Sequence, residues 1–415
     1  MHERFELSRR ALLAGMAAVP LVGCGGGSAS SGSPAPTANL VPTPSPTSAP
    51  AHTPSPTPAP PFTGPSLDTL AQRGGRRFGS AIASSPAQPI GGTVQNALYT
   101  AIVRAECGLV VPESEMKWQT IRPDPFTYQF GRMDDIARWA QGNGLAVRGH
   151  TLLWHRPEWF PTWLNDYDFG ASPASEAARL LTEHIRTVTA RYGGLITSWD
   201  VVNEAIDTAR RLPMETSLSR AMGSPEAVLD LAFQTARQQL PGAQLVYNDY
   251  MGWEPQHRDH RTAVLRLLEG FRTRGTPVDA LGIQSHIEML ALDAATGVGR
   301  YDEQQWRAFL DEVVAMGYRL LITEFDVKDR ALPADTGERD ARVADYARRY
   351  FEIMLDYQPH LDDVLAWGMV DAFSWLQGFE VAGRADGLEV RGSPYDSQYR
   401  PKPLREAIAA SLTTA

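Results

Sequence analysis

Cysteine is nearly absent from this chain. Its 415 residues include two, Cys24 and Cys107, and Cys24 lies in an N-terminal segment with the features of an export signal. The folded part therefore carries one cysteine and no internal disulfide. An exported protein without disulfides is stabilised by its core alone, which requires a large domain. Because Cys107 directly precedes a predicted strand, we interpret it as a small buried hydrophobic residue and not as a nucleophile.

An excess of basic residues is also lacking. The 48 Asp and Glu residues outnumber the 39 Lys and Arg residues, which gives a formal net charge of −9, and no basic stripe occurs. We therefore expect no nucleic-acid partner. The acidic balance suits a neutral substrate better than an anionic one. With 43% hydrophobic and 21% charged residues, the composition predicts a globular protein with a large core, and we expect a monomer.

The N-terminal apolar run is too short to span a membrane. It covers residues 11–22, follows Arg9 and Arg10, and is followed by Gly23 and Cys24. A run of this length is typical of a signal peptide, and the paired arginines are typical of twin-arginine export, which carries folded domains. Residues 21–24 (LVGC) are similar to the cleavage site of bacterial lipoproteins. We therefore predict a signal at residues 1–24 whose Cys24 is lipidated, and a protein of the cell envelope, in the periplasm or at the outer membrane, or secreted. A plain signal peptide cleaved within residues 28–33 is the alternative.

Residues 25–65 consist almost entirely of Gly, Ser, Pro, Thr and Ala. This composition cannot bury a core and favours an extended chain. We predict a tether that holds the following domain away from a membrane surface, with a shed pro-segment as the alternative. No second linker follows, so residues 66–415 are predicted to form one domain.

Short β-rich apolar runs recur along this domain. Between them lie helical stretches with apolar residues at three- and four-residue spacing, such as 177–192 and 339–355. The runs cover residues 78–82, 108–111, 146–153, 198–202, 244–247, 280–283, 319–322 and 364–369. Strands that alternate with helices over this length predict a (β/α)8 barrel. An open doubly wound sheet is the alternative, which is disfavoured because no Gly-rich phosphate loop follows any strand.

Most of these runs end in polar or aromatic residues. In a parallel barrel the strand ends share one face, where the chemistry of such folds is found. The endings include Glu113 and Lys117; His150, Trp154 and His155; Asp200, Asn203 and Glu204; Asn248 and Asp249; Gln284 and His286; Glu324 and Asp326; and Asp371 and Trp375. Such a face suits sugars, because indole rings stack on pyranose rings while amides and carboxylates bind hydroxyls.

Several segments of the chain resemble glycoside hydrolase family 10, the endo-β-1,4-xylanases. They fall in the family's order between about residues 78 and 408, and together they are specific. They are 115–118 (EMKW), 147–155 (VRGHTLLWH), 199–205 (WDVVNEA), 247–250 (YNDY), 282–286 (GIQSH), 322–326 (ITEFD) and 401–403 (PKP). The resemblance implies a (β/α)8 barrel that hydrolyses β-1,4-xylosidic bonds of xylan or xylo-oligosaccharides with retention of configuration, without a metal or organic cofactor.

By this resemblance Glu204 is the general acid/base and Glu324 is the nucleophile. Retaining glycosidases need two carboxyl groups about 5–5.5 Å apart. The ends of the fourth and seventh strands face each other across a barrel mouth, so inward side chains can reach that separation. Glu204 must be protonated at the working pH, and we expect burial and the charge of Glu324 to raise its pKa. Two structural or surface glutamates are the alternative.

The resemblance also assigns the surroundings of this pair. Asn203 is implied to bond the sugar 2-hydroxyl, and His286 to bond Glu324 while Asp326 orients the imidazole. A strand-end cap for Asn203 and a buried core histidine at position 286 are the alternatives. Gln284 resembles another family residue near the same centre.

The residues implied to bind substrate are Glu113, Lys117, His150, Trp154, Gln284, Trp367 and Trp375. Lys117 and His150 resemble residues that bind sugar on the non-reducing side of the cleaved bond, and Glu113 is a natural ion-pair partner for the lysine. Trp154 and Trp375 resemble walls around the cleaved unit. An ion pair without ligand contact, and a core role for the tryptophans, are the alternatives.

Four further positions are less specific. Asn248 and Asp249 follow the fifth strand and fit a structural role as well as a functional one. His257 and His260 have the spacing of metal ligands on a helix, but without a third ligand we interpret them as part of a solvated helix face.

The chain departs from the family pattern at three positions. Ser114 and Pro157 stand where the family usually has asparagine and glutamine, and Leu376 stands where it often has arginine. Serine reaches less far than asparagine and offers fewer hydrogen-bonding groups. We therefore predict altered binding on the non-reducing side, in favour of decorated xylan.

Two other functions compete with a xylanase. The first is a related barrel glycosidase that cuts β-1,4-glucan or a mixed glycan. The second is a lipoprotein that binds glycans without cutting them, which is disfavoured because pure binding does not need two glutamates supported by His286 and Asn203.

Overall fold

The computed structural model of the protein describes residues 64–84 and 91–414. The predicted signal at 1–24, with Cys24, and the predicted tether at 25–65, apart from its last two residues, lie outside the described residues. None of the helices in the described ranges has both the length and the apolar character that a membrane span requires.

Parallel strands close into a barrel. They are β1 (Phe78–Ile82), β2 (Leu109–Pro112), β3 (Ala146–Trp154), β4 (Ile196–Asn203), β5 (Gln244–Asp249), β6 (Ala280–Ile283), β7 (Arg319–Lys328) and β8 (Leu361–Ala366). Each strand pairs with the next along the chain, and β8 pairs with both β7 and β1, so that Phe78 lies opposite Val364. The predicted (β/α)8 barrel is confirmed, and the open-sheet alternative is wrong.

Helices pack around the barrel and connect its strands. They are α1 (Leu67–Arg73), α2 (Ala97–Glu106), α3 (Trp118–Ile121), α4 (Gly131–Gly142), α5 (Thr162–Asn165), α6 (Pro173–Tyr192), α7 (Ser217–Met222), α8 (Pro225–Gln239), α9 (Arg258–Arg274), α10 (Glu303–Ala315), α11 (Thr336–Leu355) and α12 (Pro403–Thr414). Single 3₁₀ turns lie at Pro157–Trp159, Pro255–His257, Asp371–Phe373 and Trp375–Gly378. The predicted helices at 177–192 and 339–355 begin earlier, because Pro173 occupies the first turn of α6 and Asp335 caps α11.

The strands are apolar because both of their faces are covered. β1 and β2 are buried at every position, which is the environment of a parallel sheet enclosed by helices. Their β-branched and aromatic residues fill this space well. The sequence therefore predicts all eight strands from their apolar runs.

The strand ends differ from the prediction at the functional face. β7 continues past residue 322 to Lys328, because Asp326 pairs with His286 in the short strand His286–Glu288. The polar residues predicted to follow this strand thus lie within it, where backbone hydrogen bonds fix them. β8 covers Leu361–Ala366 instead of 364–369, because Leu361 pairs with Leu320 of β7.

A glycine of β3 is required by packing. A Cβ built on Gly149 would lie 2.3 Å from the Trp199 ring, far inside van der Waals contact. The indole of Trp199, which is fully buried on β4, therefore packs directly on the β3 backbone. This contact sets the spacing between β3, which contains His150, and β4, which Glu204 directly follows.

Candidate active site

Glu204 directly follows β4 in a backbone conformation that is unusual for glutamate. Its φ is +50°, a left-handed region that costs a non-glycine residue about 1–3 kcal/mol. Two hydrogen bonds hold this turn: the Glu204 N–H donates to the Asn248 carbonyl at 2.9 Å, and the Ala205 N–H donates to Tyr247 Oη at 3.2 Å. The fold thus fixes the direction of the Glu204 side chain through its neighbour β5.

The Glu204 carboxyl has a separate partner for each oxygen. Gln284 Nε2 donates to Oε1 at 2.9 Å, and Arg156 Nε lies 3.2 Å from Oε2. Burial raises the pKa of this carboxyl, and the charges of Asp249 and Glu324 add to the effect, while Arg156 and Gln284 oppose it. The net shift is upward, which favours the protonated form that a general acid needs.

Glu324 lies within β7 and is 5% exposed. Its Oε1 accepts a hydrogen bond from Asn248 Nδ2 at 2.7 Å, and its Oε2 lies 3.3 Å from His286 Nε2. Burial alone would raise the pKa of this carboxyl. The hydrogen bond from His286 and the charges of His150 and His286 outweigh burial, so the pKa is lowered and the side chain is a carboxylate.

His286 is held between two carboxylates. Its Nδ1 lies 2.9 Å from Asp326 Oδ1, on the side opposite Glu324. Burial would lower the pKa of the imidazole, but the charges and hydrogen bonds of Asp326 and Glu324 raise it to about 9. The ring is therefore an imidazolium at neutral pH. Trp375 packs against this ring at 4.9 Å between centroids, and its Nε1 donates to Asp326 Oδ2.

Side-chain amides join the two glutamates. Asn203 Oδ1 accepts from Asn248 Nδ2 at 2.8 Å and from Gln284 Nε2 at 3.4 Å. Each donor also holds a glutamate, because Asn248 contacts Glu324 and Gln284 contacts Glu204. These contacts leave the Asn203 amide nitrogen available to donate to a ligand at the centre of the site.

His150 enters the site from β3 with its own carboxylate. Its Nδ1 lies 2.9 Å from Asp200 Oδ2, and its ring contacts Trp367 edge to face at 5.3 Å. Asp200 also accepts from both terminal nitrogens of Arg148. Burial would raise the pKa of Asp200, but Arg148 and His150 overcome it, so the pKa is lowered and the carboxylate orients His150.

Lys117 contacts an indole ring and not its predicted partner. Its Nζ lies 4.5 Å from the Trp154 ring centroid, and it forms no ion pair within 4.0 Å in the described part of the chain. The predicted contact with Glu113 is therefore wrong, because the ammonium lies over the indole face, which attracts cations. Burial lowers the pKa of Lys117, while Glu324, Glu113 and Glu204 oppose the shift. Lys117 thus lies within the electric field of both glutamates.

Trp154 belongs to a pair of stacked rings. Trp159 packs on it at 4.4 Å with an interplanar angle of 13° and is 43% exposed. Trp159 therefore extends the Trp154 wall toward solvent, which the sequence did not predict.

Other predicted residues lie in structural contacts. The sequence placed Asp371 among the lining residues, but the structure buries it in an ion pair with Lys402. This pairing is expected, because a buried carboxylate without a partner is unfavourable. His260 Nε2 lies 3.1 Å from Asp249 Oδ1, and His257 Nδ1 accepts from the Gly252 N–H. The two histidines thus have separate partners, and the side chains of His257 and His260 are only 16% and 4% exposed, so the predicted solvated helix face is wrong. Cys107 is buried, as predicted.

Two functional positions were missed or left open by sequence reasoning. Asn248 contacts Glu324 directly, which its place after the fifth strand indicated only weakly. Arg156 was noted as part of an unusual segment, but its partner Glu204 directly follows the next strand, and no local pattern connects the two.

No group of three or more His, Cys, Asp or Glu side chains suited to a metal ion occurs among residues 64–84 and 91–414.

Comparison with known proteins gives one consistent result. The model of glycosyl hydrolase family 10 matches residues 66–411. A β-1,4-xylanase of Dictyoglomus thermophilum is 32% identical over 319 residues, which cover 73% of this chain and 82% of the relative. Endo-1,4-β-xylanase B of Thermotoga neapolitana is 30% identical over 310 residues, with coverage of 75% and 82%. The structure of xylanase 10B from Thermotoga petrophila RKU-1 in complex with xylobiose superimposes with a TM-score of 0.71 at 29% identity and covers 85% of this chain and 98% of that one.

Proposed function

The chain belongs to glycosyl hydrolase family 10, and from that premise we propose that it is an endo-β-1,4-xylanase that hydrolyses xylan with retention of configuration. The two relatives described above are xylanases, and each is matched over 82% of its own length. The observation that carries the proposal is the opposite electrostatic setting of the two glutamates: the pKa of Glu204 is raised and that of Glu324 is lowered. An acid and a nucleophile in one site need such a difference.

The first step forms a covalent glycosyl-enzyme. A carboxylate oxygen of Glu324 attacks the anomeric carbon, and the bond from that carbon to the glycosidic oxygen breaks. Glu204 transfers its proton to the departing oxygen, so the leaving chain ends in a hydroxyl group. Because His286 and Asn248 each hold one oxygen of Glu324, the attacking carboxylate is fixed before the sugar arrives.

The second step releases the sugar from Glu324. Glu204, now ionised, takes a proton from water, and the resulting hydroxide attacks the anomeric carbon while the bond to Glu324 breaks. Both displacements invert the anomeric carbon, so the net result is retention. Gln284 donates to Glu204 Oε1 and keeps this carboxyl in place while it changes protonation state.

The remaining residues suit sugar binding around the cleaved bond. The amide nitrogen of Asn203 is placed to donate to the 2-hydroxyl beside Glu324, a contact that strengthens in the transition state. His150 and Lys117 offer polar groups on the nucleophile side, with Trp367 and Trp154 against them. Glu113 supplies a further carboxyl whose pKa burial raises, and Trp375 forms a wall beside His286.

Substitution of each glutamate tests the proposal. We expect Glu324→Ala to abolish hydrolysis of an aryl β-xylobioside. Glu204→Ala should still hydrolyse those aryl β-xylobiosides whose leaving group departs without a proton. Azide should restore activity to both variants, with products of opposite configuration. In Glu204→Ala azide replaces water in the second displacement and gives a β-xylosyl azide, whereas in Glu324→Ala it replaces the nucleophile in a single displacement and gives the α product. The exposed Glu158 is the matched control and should tolerate alanine. A near-wild-type rate for Glu324→Ala would overturn the proposal.

Substrate choice separates this function from its closest alternative. We expect release of reducing ends from xylan and little from carboxymethylcellulose. A preference for the glucan would favour a β-1,4-glucanase, and tight xylan binding without product would favour a glycan-binding protein.

We propose further that the chain is exported by the twin-arginine route and anchored by a lipid on Cys24. The support is the order of paired arginines, apolar run, LVGC and a long Pro/Ser/Thr-rich segment. The twin-arginine segment directs export of the folded domain, and the lipid on Cys24 attaches it to a membrane surface without a spanning helix. Cys24→Ala should move the enzyme from the membrane fraction to the soluble fraction, and replacement of Arg9 and Arg10 by lysine should retain it in the cytoplasm. Unchanged fractionation of Cys24→Ala would contradict the anchor.

A further inference from the structure

We propose that Arg156 is a positioning residue for the acid/base, which rests on the proposed function: its guanidinium fixes the Glu204 carboxyl and lowers the upper pH limit of hydrolysis. The residue stands in the segment between Trp154 and Trp159, where the chain departs from the family pattern. Its role is distinct from sugar binding, because the group that it contacts is the carboxyl that must give and take the proton.

The guanidinium is fixed by neutral partners on two neighbouring segments: the loop after β5, and a hairpin of the short antiparallel strands Ile206–Asp207 and Leu212–Pro213. Arg156 Nη2 donates to the Ile206 carbonyl at 3.2 Å and to Tyr250 Oη at 3.1 Å. The Tyr250 ring also lies 5.4 Å from the guanidinium carbon. These contacts hold the outer part of the guanidinium, and its Nε lies within ion-pair distance of Glu204 Oε2, at 3.2 Å.

The backbone at this position is equally constrained. The Arg156 N–H donates to the Trp154 carbonyl at 2.8 Å, and the Arg156 carbonyl accepts from Trp159 and Phe160. Pro157 begins a 3₁₀ turn immediately afterwards. The short connection therefore leaves the arginine with little freedom to leave Glu204.

Both charges are largely removed from water. The side chains of Arg156 and Glu204 are 18% and 14% exposed, so solvent screens their attraction less than at a surface. An opposite charge at contact distance typically lowers a carboxyl pKa by about 1–3 units. In this site the effect opposes burial, which raises the pKa of Glu204.

The other charged groups around Glu204 do not replace Arg156. Asp249 at the end of β5 and Glu324 on β7 both favour the protonated carboxyl. Lys117, after β2, is influenced by Glu204 but lies over Trp154. Arg156 is thus the cation that contacts the acid/base, and Gln284 is its neutral counterpart on the other oxygen.

The test compares variants that differ in charge at this position. Arg156→Gln keeps an uncharged hydrogen-bond donor and removes the charge, whereas Arg156→Lys keeps the charge. The measurement is kcat/KM against pH with phenyl β-xylobioside, whose poor leaving group needs the proton of Glu204. We expect the basic limb of Arg156→Gln to move upward by about 1–2 pH units, and that of Arg156→Lys to stay near the wild type.

A second substrate separates this role from structural damage. With 2,4-dinitrophenyl β-xylobioside, Arg156→Gln should keep the wild-type kcat/KM and its pH profile, because kcat/KM reports the first step and this leaving group departs without a proton. Arg210, which is 65% exposed on the neighbouring hairpin, is the control, and Arg210→Gln should leave both profiles unchanged.

The outcomes distinguish this inference from the function on which it rests. A basic limb that stays in place in Arg156→Gln overturns the inference, as does an equal loss of rate with both substrates. If the wild-type protein hydrolyses neither substrate, the proposed function fails instead. Should Arg156→Gln not fold, Arg156→Met and Arg156→Lys measured on both substrates give the same comparison.

Discussion

Trp375 Nε1 donates a hydrogen bond to Asp326 Oδ2 at 2.7 Å, and the other oxygen of the same carboxylate lies 2.9 Å from His286 Nδ1. The tryptophan is therefore more than an aromatic wall. It is the outermost member of a series that runs through Asp326 and His286 to Glu324. The ring that we propose as a wall of the substrate site thus also holds the carboxylate behind His286 and the predicted nucleophile.

Trp375→Phe separates these two roles, because phenylalanine keeps an aromatic face and loses the N–H. A hydrogen bond to a charged group contributes about 1.5–3 kcal/mol, and we expect kcat with an aryl β-xylobioside to fall about tenfold or more, with a smaller change in KM. Trp139→Phe on α4 is the control and should be silent. A rise in KM without a fall in kcat would show that Trp375 acts only through aromatic contact with substrate and not through its hydrogen bond to Asp326.

His286→Gln is expected to move the acid limb of the pH profile. The imidazolium favours the ionised form of Glu324 and so lowers its pKa. Without it that pKa rises, so the acid limb of kcat/KM should shift to higher pH, and the maximal rate should fall. The exposed His360 provides a matched control, since His360→Gln removes an imidazole remote from both glutamates. An acid limb at the wild-type position would contradict this account.

His286 also links stability to pH. Its pKa is about 9 in the folded protein, against about 6.5 when unfolded. A raised pKa of a basic group contributes stability that is full below about pH 6.5 and is lost as the pH rises through 9. The difference in Tm between the wild type and His286→Gln should therefore shrink between pH 6 and pH 9.5. A constant difference across this range would contradict the linkage.

Glu254→Gln should stabilise the protein at alkaline pH. Burial and the nearby charge of Glu288 raise the pKa of Glu254 to about 8. For a carboxyl with a raised pKa, stability falls as the pH rises from the unfolded value near 4.3 to the folded value. Glutamine carries no such charge, so we expect a higher Tm than the wild type at pH 8 and a similar Tm at pH 4.5. Glu269→Gln at an exposed position should change neither value, and an equal effect at both pH values would refute the assignment to charge.

Gly282→Ala should disturb the amides that hold Glu324. A Cβ on Gly282 would lie 2.4 Å from Asn248 Oδ1 and 3.1 Å from the methyl carbon of Thr323. Asn248 must then move from its contact with Glu324, and we expect kcat/KM to fall at least tenfold. Gly142→Ala on α4 is the control, because a Cβ there meets no atom within 4 Å. Full activity of Gly282→Ala would show that Asn248 tolerates displacement.

The sequence was sufficient to predict the barrel because each strand is buried on both faces. Apolar runs of this kind are visible without any partner, and the polar residues that end them indicated the functional face. The ends of the strands do not follow from these runs: the apolar run of β7 stops at residue 322, whereas pairing between Asp326 and His286 extends the strand to Lys328. Pairing of this kind depends on the neighbouring strand and has no local signal.

Contacts between strands were the part that sequence could not supply. Lys117 and Glu113 are close in sequence, so an ion pair was the natural prediction, yet the ammonium lies over Trp154 from the next strand. The same limit applies to Arg156, whose contact with Glu204 depends on the length of the loop after β3. Residue type and spacing identify candidates, and the packing of neighbouring strands decides their partners.

The ring of strands closes only where β8 pairs with β1, so that Phe78 lies opposite Val364. A nascent chain that lacks β8 has two open strand edges and no fixed mouth for the site. Glu204 and Glu324 then belong to an unfinished sheet, although both are already synthesised. Catalytic competence is therefore a property of the completed ring, and a fragment that contains both glutamates but ends before residue 361 should be inert.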